Sequence, residues 1–308
     1  MWNQPRKWNE QAKKLGVRLK VFCASIADIF EKWPGKLIDV NGAIVCRRVE
    51  GRTERKHWLA FPVNNIPKGW KAVSLQDVRI EFFKLVDETP WLDWLILTKR
   101  PELIGDMWPN KVVSIGGIAG VQTHRENVWL GCSVSDQETA NQYLPVLKNM
   151  AGYARYIWIS AEPLTGHITQ CGNENWKWSD FDWCVIGGES GLLAPNGTPL
   201  AIINQPAAKY ARRCHSDWIE EILDECSSED PECHVPCFVK QTGNLFLELL
   251  DQNEAGDRRF ARIVELSGGK YTMEVTGGLN VCEWNPPGKG EDIDIFPDML
   301  KVQEFPVA

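Results

Sequence analysis

Residues 155–161 and 182–188 read RYIWISA and DWCVIGG. Each is a short apolar run, rich in β-branched and aromatic side chains, without strict alternation of apolar and polar positions. A strand solvated on one face alternates, whereas a strand covered on both faces has no polar side to show. The two runs therefore read as buried strands of a parallel sheet. Working outward, the same kind of run recurs at Lys20–Ser25 (KVFCAS), Trp91–Thr98 (WLDWLILT), Val128–Val134 (VWLGCSV) and Val235–Gln241 (VPCFVKQ). Helical periods lie between them, most clearly at Asp136–Ala151 and Ser216–Cys226, and each opens on an N-cap candidate. Glu220 and Glu221 stand early in the second helix, where the dipole favours acids. Alternating βα units predict an α/β fold, a (β/α) barrel or partial barrel of mostly parallel strands.

Two segments break this rhythm. Val40–Glu88 holds the charge run Arg47–Lys56, a stretch with two prolines, and a helical period from Leu75. It reads as an insertion or long βα connection, with the charge run as a solvated face. Beyond Gly243 the pattern becomes mixed. Arg259–Leu266 and Lys270–Val275 read as a hairpin around Ser267–Gly269, followed by the acidic Glu291–Asp298. The expected organisation is a barrel-like domain over 1–243, with the insertion at about 40–88. A small β-rich appendage and acidic tail follow over 244–308.

The 308 residues carry 34 Lys and Arg against 41 Asp and Glu, a formal charge of −7. No general basic field draws such a chain to nucleic acid, although a local basic cleft is compatible with that balance. No apolar stretch approaches the roughly 18 residues of a membrane span, and no signal-peptide pattern opens the sequence. A cytoplasmic location is expected, with the ten cysteines reduced. Several of them sit in apolar runs, where a thiol acts as a small hydrophobe. Cys226, Cys233 and Cys237, near His234, Cys214 and His215, form the one metal-like cluster in the sequence, but C-x6-C-x3-C matches no common zinc spacing. They are expected to be packing residues, and no metal ligand is assigned.

In parallel α/β folds, chemistry gathers at the carboxyl ends of the strands. Reading just past each run gives Ser25 and Asp28; Thr98, Lys99 and Arg100; Ser133, Ser135 and Asp136; Ser160 and Glu162; Glu189 and Ser190; Lys240 and Gln241. Asp136 reads equally as a helix cap. Glu162 follows a strand directly and precedes Pro163, which points to a pocket. Lys99 and Arg100 place two cations at one strand end, suited to an anionic group or simply solvated. Gly187-Gly188-Glu189-Ser190-Gly191 lets backbone approach a ligand or make a tight turn. It has neither the dinucleotide nor the P-loop spacing.

WNQPRKWN (Trp2–Asn9), VFCASIADIF (Val21–Phe30), LTKRPE (Leu97–Glu102), ENVWLGCSVSDQ (Glu126–Gln137), ISAEPL (Ile159–Leu164), DWCVIGGESG (Asp182–Gly191), HSDW (His215–Trp218) and PCFVKQTG (Pro236–Gly243) occur in this order. In these segments the chain resembles the three-cysteine-motif proteins of phages and prophages, a radical-SAM-like family of unknown function. The resemblance implies a [4Fe–4S] cluster and S-adenosylmethionine as cofactors. Three thiolates from an N-terminal loop would leave one iron open for the cosubstrate. These 308 residues contain no C-x-x-C. The expected fold is thus a barrel missing its first βα unit, inactive in cluster chemistry as it stands. Their positions at the strand ends point to Glu162 and Glu189 as catalytic carboxylates directed at amino or hydroxyl groups, with Lys99 and Arg100 directed at anionic ones. A nucleic acid or nucleobase substrate and a phage-encoded partner protein are expected, with no membrane. A non-catalytic binding module on the same barrel, or a metal-free hydrolase or lyase, are the alternatives.

Overall fold

The six apolar runs form six strands: β1 (Leu19–Cys23), β2 (Leu92–Thr98), β3 (Arg125–Val134), β4 (Ala154–Ala161), β5 (Trp183–Gly187) and β6 (Cys237–Gln241). They lie side by side in chain order, in one all-parallel sheet curled into a half barrel. Leu19 stands opposite Leu92, Trp158 opposite Trp183, and Cys184 opposite Cys237. The longer helices among the described residues are α1 (Asn3–Leu15), α2 (Leu75–Glu88), α3 (Gln137–Lys148) and α4 (Ser216–Cys226). The structure, a computed structural model, describes residues 3–23, 27–39, 41–48, 58–115, 118–189, 212, 214–241, 246–252, 258–266, 270–275, 283–284 and 304–306. Among the described residues, no helix is long and apolar enough to cross a membrane. The chain divides into two compact units, Met1–Trp129 with Gly152–Arg155, and Leu130–Ala151 with Tyr156–Ala308.

In the first unit, α2 starts at a reciprocal cap. Ser74 Oγ accepts the Asp77 N–H, and the Asp77 carboxylate accepts the Ser74 N–H at 2.9 Å. The apolar face of the helix buries Phe82, Phe83, Leu85 and Val86. Phe83 packs against Trp108 with ring centroids 4.7 Å apart, and Phe30 stacks on the same indole. The buried Arg125 guanidinium lies 4.8 Å from the Phe83 centroid, and Asp87 accepts from it at 2.9 and 3.2 Å. A buried cation needs such a partner, since desolvation alone costs several kcal/mol. The insertion builds its own antiparallel sheet, with Ile44–Arg48 between Trp58–Phe61 and Trp70–Ala72. Arg47, which opens the charge run, pairs with Asp77 at 3.0 Å, and residues 49–57 lie outside the described residues. A hairpin of Lys111–Ile115 and Ile118–Gln122 was not anticipated. Its signal was present, because Gly116-Gly117 stands between two apolar runs.

In the second unit, α3 begins at Asp136, whose carboxylate accepts the Thr139 N–H at 2.9 Å while Thr139 Oγ1 accepts the Asp136 N–H. The helix ends at Lys148, earlier than its apolar period suggests. Helix α4 corrects the cap expectation: Ser216 is its first residue and is buried, and His215 occupies the cap position without a side-chain cap bond. The His215 ring stacks on Trp218 at 4.2 Å instead. The expected hairpin is present, with Arg258–Leu266 antiparallel to Lys270–Val275. It lies in a small, mainly antiparallel sheet that also takes in Phe246–Gln252, Glu283–Trp284 and the two-residue strand Cys214–His215. Cys226 and Cys237 are buried and Cys233 is exposed.

Candidate functional site

Strands β4, β5 and β6 run parallel, so their carboxyl ends share one edge of the second unit. Glu162 is the first residue past β4, Gly187 ends β5, and Lys240 and Gln241 end β6. The β5–β6 register shifts at this edge: Ile186 faces Val239 and Gly187 faces Gln241, leaving Lys240 as an extra residue. Consecutive side chains of a regular strand point to opposite faces, and a bulge relaxes that rule. Both neighbours reach the same carboxylate. Lys240 Nζ donates to Glu162 Oε1 at 2.8 Å and lies 3.1 Å from Oε2, while Gln241 Nε2 donates to Oε1 at 2.6 Å. The Gln241 amide also donates to the Gly188 carbonyl at 3.0 Å.

Gly187 makes room for this arrangement. A Cβ there would stand 3.2 Å from Gln241 Cγ and 3.4 Å from Glu162 Cδ. Ser133 Oγ donates to the Glu162 carbonyl at 2.7 Å and holds the backbone from the β3 side. The Glu162 side chain is 18% exposed and that of Lys240 46%, so the carboxylate is sheltered and its cation is the outer member. Nearby in the chain, Glu189 accepts from Arg212 N at 2.8 Å, Nε at 2.9 Å and Nη2 at 3.1 Å. These bonds raise the Arg212 pKa above its ordinary value.

The other strand-end residues fall into separate roles. Ser160 is buried within β4 opposite Val185. Ser135 is taken up by its neighbours: its N–H donates to Thr139 Oγ1, and its carbonyl accepts from Thr165 N at 2.8 Å. In the first unit, Asp28 accepts from the N–H groups of Phe30 and Lys99 at 2.9 and 3.0 Å and from Arg100 Nη1 at 3.1 Å. Thr98 Oγ1 lies 2.9 Å from both of its oxygens. Arg100 also pairs with Glu31 at 3.3 Å, so its charge is answered within the chain rather than left for an external anion. The Lys99 backbone joins this network and its residue is exposed. Ser25 and Ser190 lie outside the described residues.

Thus Ser133, Glu162, Lys240 and Gln241 meet in the second unit, and Asp28, Thr98 and Arg100 meet in the first. Arg212 was not anticipated, since no motif marks it and 23 positions separate it from Glu189. Among the described residues, no group of three or more His, Cys, Asp or Glu is arranged to hold a metal ion.

No curated protein and no solved structure matches the chain. A family described as "Protein of unknown function (DUF5131)" matches residues 70–265. That span runs from the small three-stranded sheet to the late hairpin and takes in β2 through β6, with Glu162 and every side chain that touches it. It exceeds half of the chain, and on that ground the chain belongs to the DUF5131 family.

Proposed function

We propose that this chain is a radical-SAM-like partial barrel of phage or prophage type that binds a zwitterionic amino-acid group, with S-adenosylmethionine as the expected ligand. The observation that carries the reading is the Glu162–Lys240 pair, a sheltered carboxylate under a half-exposed ammonium. A ligand ammonium can replace Lys240 Nζ on Glu162 while the Gln241 amide continues to hold Oε1. The released Lys240 is then free to meet the ligand carboxylate. Two opposite charges exchange partners with two opposite charges, so no net charge is buried, the condition under which desolvated ions are tolerated. Charge-assisted bonds of this kind are about twice as strong as neutral ones. The nucleic acid or nucleobase expected as substrate and the phage-encoded partner remain parts of the proposal carried by the family resemblance.

A [4Fe–4S] cluster does not fit the thiols described. Cys184 and Cys237 are register partners, Cys226 ends α4, and the three are sealed in the core at 0%, 3% and 1% exposure. A cluster that binds a cosubstrate needs an accessible iron as well as three thiolates. The proposed activity is therefore binding, and no catalytic step is routed through a cluster.

Calorimetric titration of the chain with S-adenosylmethionine tests this reading, with adenosine and the methyl ester of S-adenosylmethionine as comparisons. Binding of the zwitterion alone is expected. Glu162→Gln is expected to weaken it about 10- to 100-fold, the worth of a hydrogen bond to a charged group. Equal binding of adenosine, no binding at all, or unchanged affinity in Glu162→Gln would refute the proposal.

A further inference from the structure

We infer that Cys184, Cys226 and Cys237 form a buried redox-active thiol site, in which a hydroperoxide oxidises Cys237 and a neighbouring thiol closes a disulfide onto it. This inference is independent of the ligand proposed for Glu162. Cys184 and Cys237 are register partners on adjacent parallel strands. Such strands lie about 4.8 Å apart, within the Cα separations that disulfides span. Cys226 ends α4, and its carbonyl accepts the Val235 N–H at 3.0 Å, which pins the helix end two residues from Cys237. The Cys237 thiol donates to the Val235 carbonyl oxygen at 3.5 Å.

This geometry separates their chemistry. Burial pushes the Cys184 and Cys226 thiols up, so they keep their protons. Cys237 receives hydrogen bonds from Cys184 and Cys226, which hold it below the usual thiol range against its own burial. The thiolate is the nucleophilic form of cysteine. Cys237 is 3% exposed, which selects a small neutral oxidant.

The step balances as follows. The Cys237 thiolate attacks a hydroperoxide oxygen; an S–O bond forms, the O–O bond breaks, and the alkoxide or hydroxide leaves and takes a solvent proton. The sulfur of Cys184 or Cys226 then attacks Cys237. The S–S bond forms, the S–O bond breaks, and hydroxide leaves with the attacking thiol's proton as water. Two cysteine sulfurs are oxidised and one peroxide is reduced.

The test treats the reduced full-length chain with hydrogen peroxide, alkylates remaining thiols in denaturant, and maps peptides by mass. The expected result is loss of free Cys237 and a peptide linking it to Cys184 or Cys226, about 2 Da lighter than the reduced pair. Dithiothreitol should reverse the link. The double variant Cys184→Ser with Cys226→Ser should lose the link and carry oxygen on Cys237 instead, and circular dichroism checks that this variant is folded. The inference is overturned if Cys237 stays alkylatable while the exposed Cys171 and Cys233 oxidise. It is equally overturned if unsubstituted Cys237 gains oxygen without a link, or pairs with any other cysteine.

Discussion

Gly131 sits in β3 beneath the ring of Trp158, and a Cβ at that position would stand 2.2 Å from Trp158 Cε2 and 2.6 Å from Cζ2. Real carbons do not approach that closely, and Trp158 is itself 1% exposed, so the ring has nowhere to move. Gly131→Ala is expected to lower stability by about 3 kcal/mol, the upper range for overpacking a core. Gly152 is the contrast, since nothing lies within 4 Å of a Cβ built there. Gly152→Ala is expected to leave stability unchanged or raise it by up to about 1 kcal/mol through the unfolded chain. Urea unfolding of both variants checks the pair. Single residues differ in how far the sequence exposes them. Glu162 was legible because it follows an apolar run and precedes proline. Gly131 was not, because a glycine inside WLGCS looks the same whether a ring covers it or not. Arg212 was equally silent, since its partner is fixed by folding and not by spacing.

At the scale of elements, α3 shows a cap doing what the sequence indicated. Asp136 satisfies the Thr139 N–H, and Thr139 returns a bond to the Asp136 N–H. Asp136→Ala is expected to cost about 1 kcal/mol, and Asp136→Asn much less. Thermal denaturation of the two variants measures the difference. For α4 the same reasoning stopped one residue late, because a serine before an apolar period resembles a cap whether or not its oxygen is aimed at an N–H. The β5–β6 bulge lay further out of reach. Val235–Gln241 reads as one uninterrupted strand. Only pairing with β5 shows that Lys240 is the extra residue, and that both it and Gln241 meet Glu162.

At the scale of the whole chain, residues near its C-terminal end return to the edge of the parallel sheet within the second unit. Glu304 N donates to the Cys237 carbonyl at 2.7 Å, and Trp183 Nε1 donates to the Glu304 carbonyl at 2.8 Å across 121 positions. Phe305 packs on Trp183 and Phe238, with both centroid distances 5.3 Å. Removing residues 304–308 is expected to destabilise the chain by about 2–4 kcal/mol, through the lost hydrogen bonds of Glu304 and the two aromatic contacts of Phe305. A lowered urea midpoint measures this, and an unchanged midpoint would mean that the contact is dispensable. The sequence by itself determined the α/β class, the six parallel strands and their order of appearance, helices α2, α3 and α4, and the late hairpin. These follow from local periodicity, because a strand buried on both faces must be apolar throughout and a helix must repeat every 3.6 residues. Tertiary structure alone decided that Arg100 is answered by Asp28 and Glu31, that Glu162 is held by Lys240 and Gln241, and that Cys184 stands opposite Cys237 on adjacent strands. Each of these depends on which side chains distant segments bring within a few ångströms, and neither composition nor spacing along the chain encodes that distance.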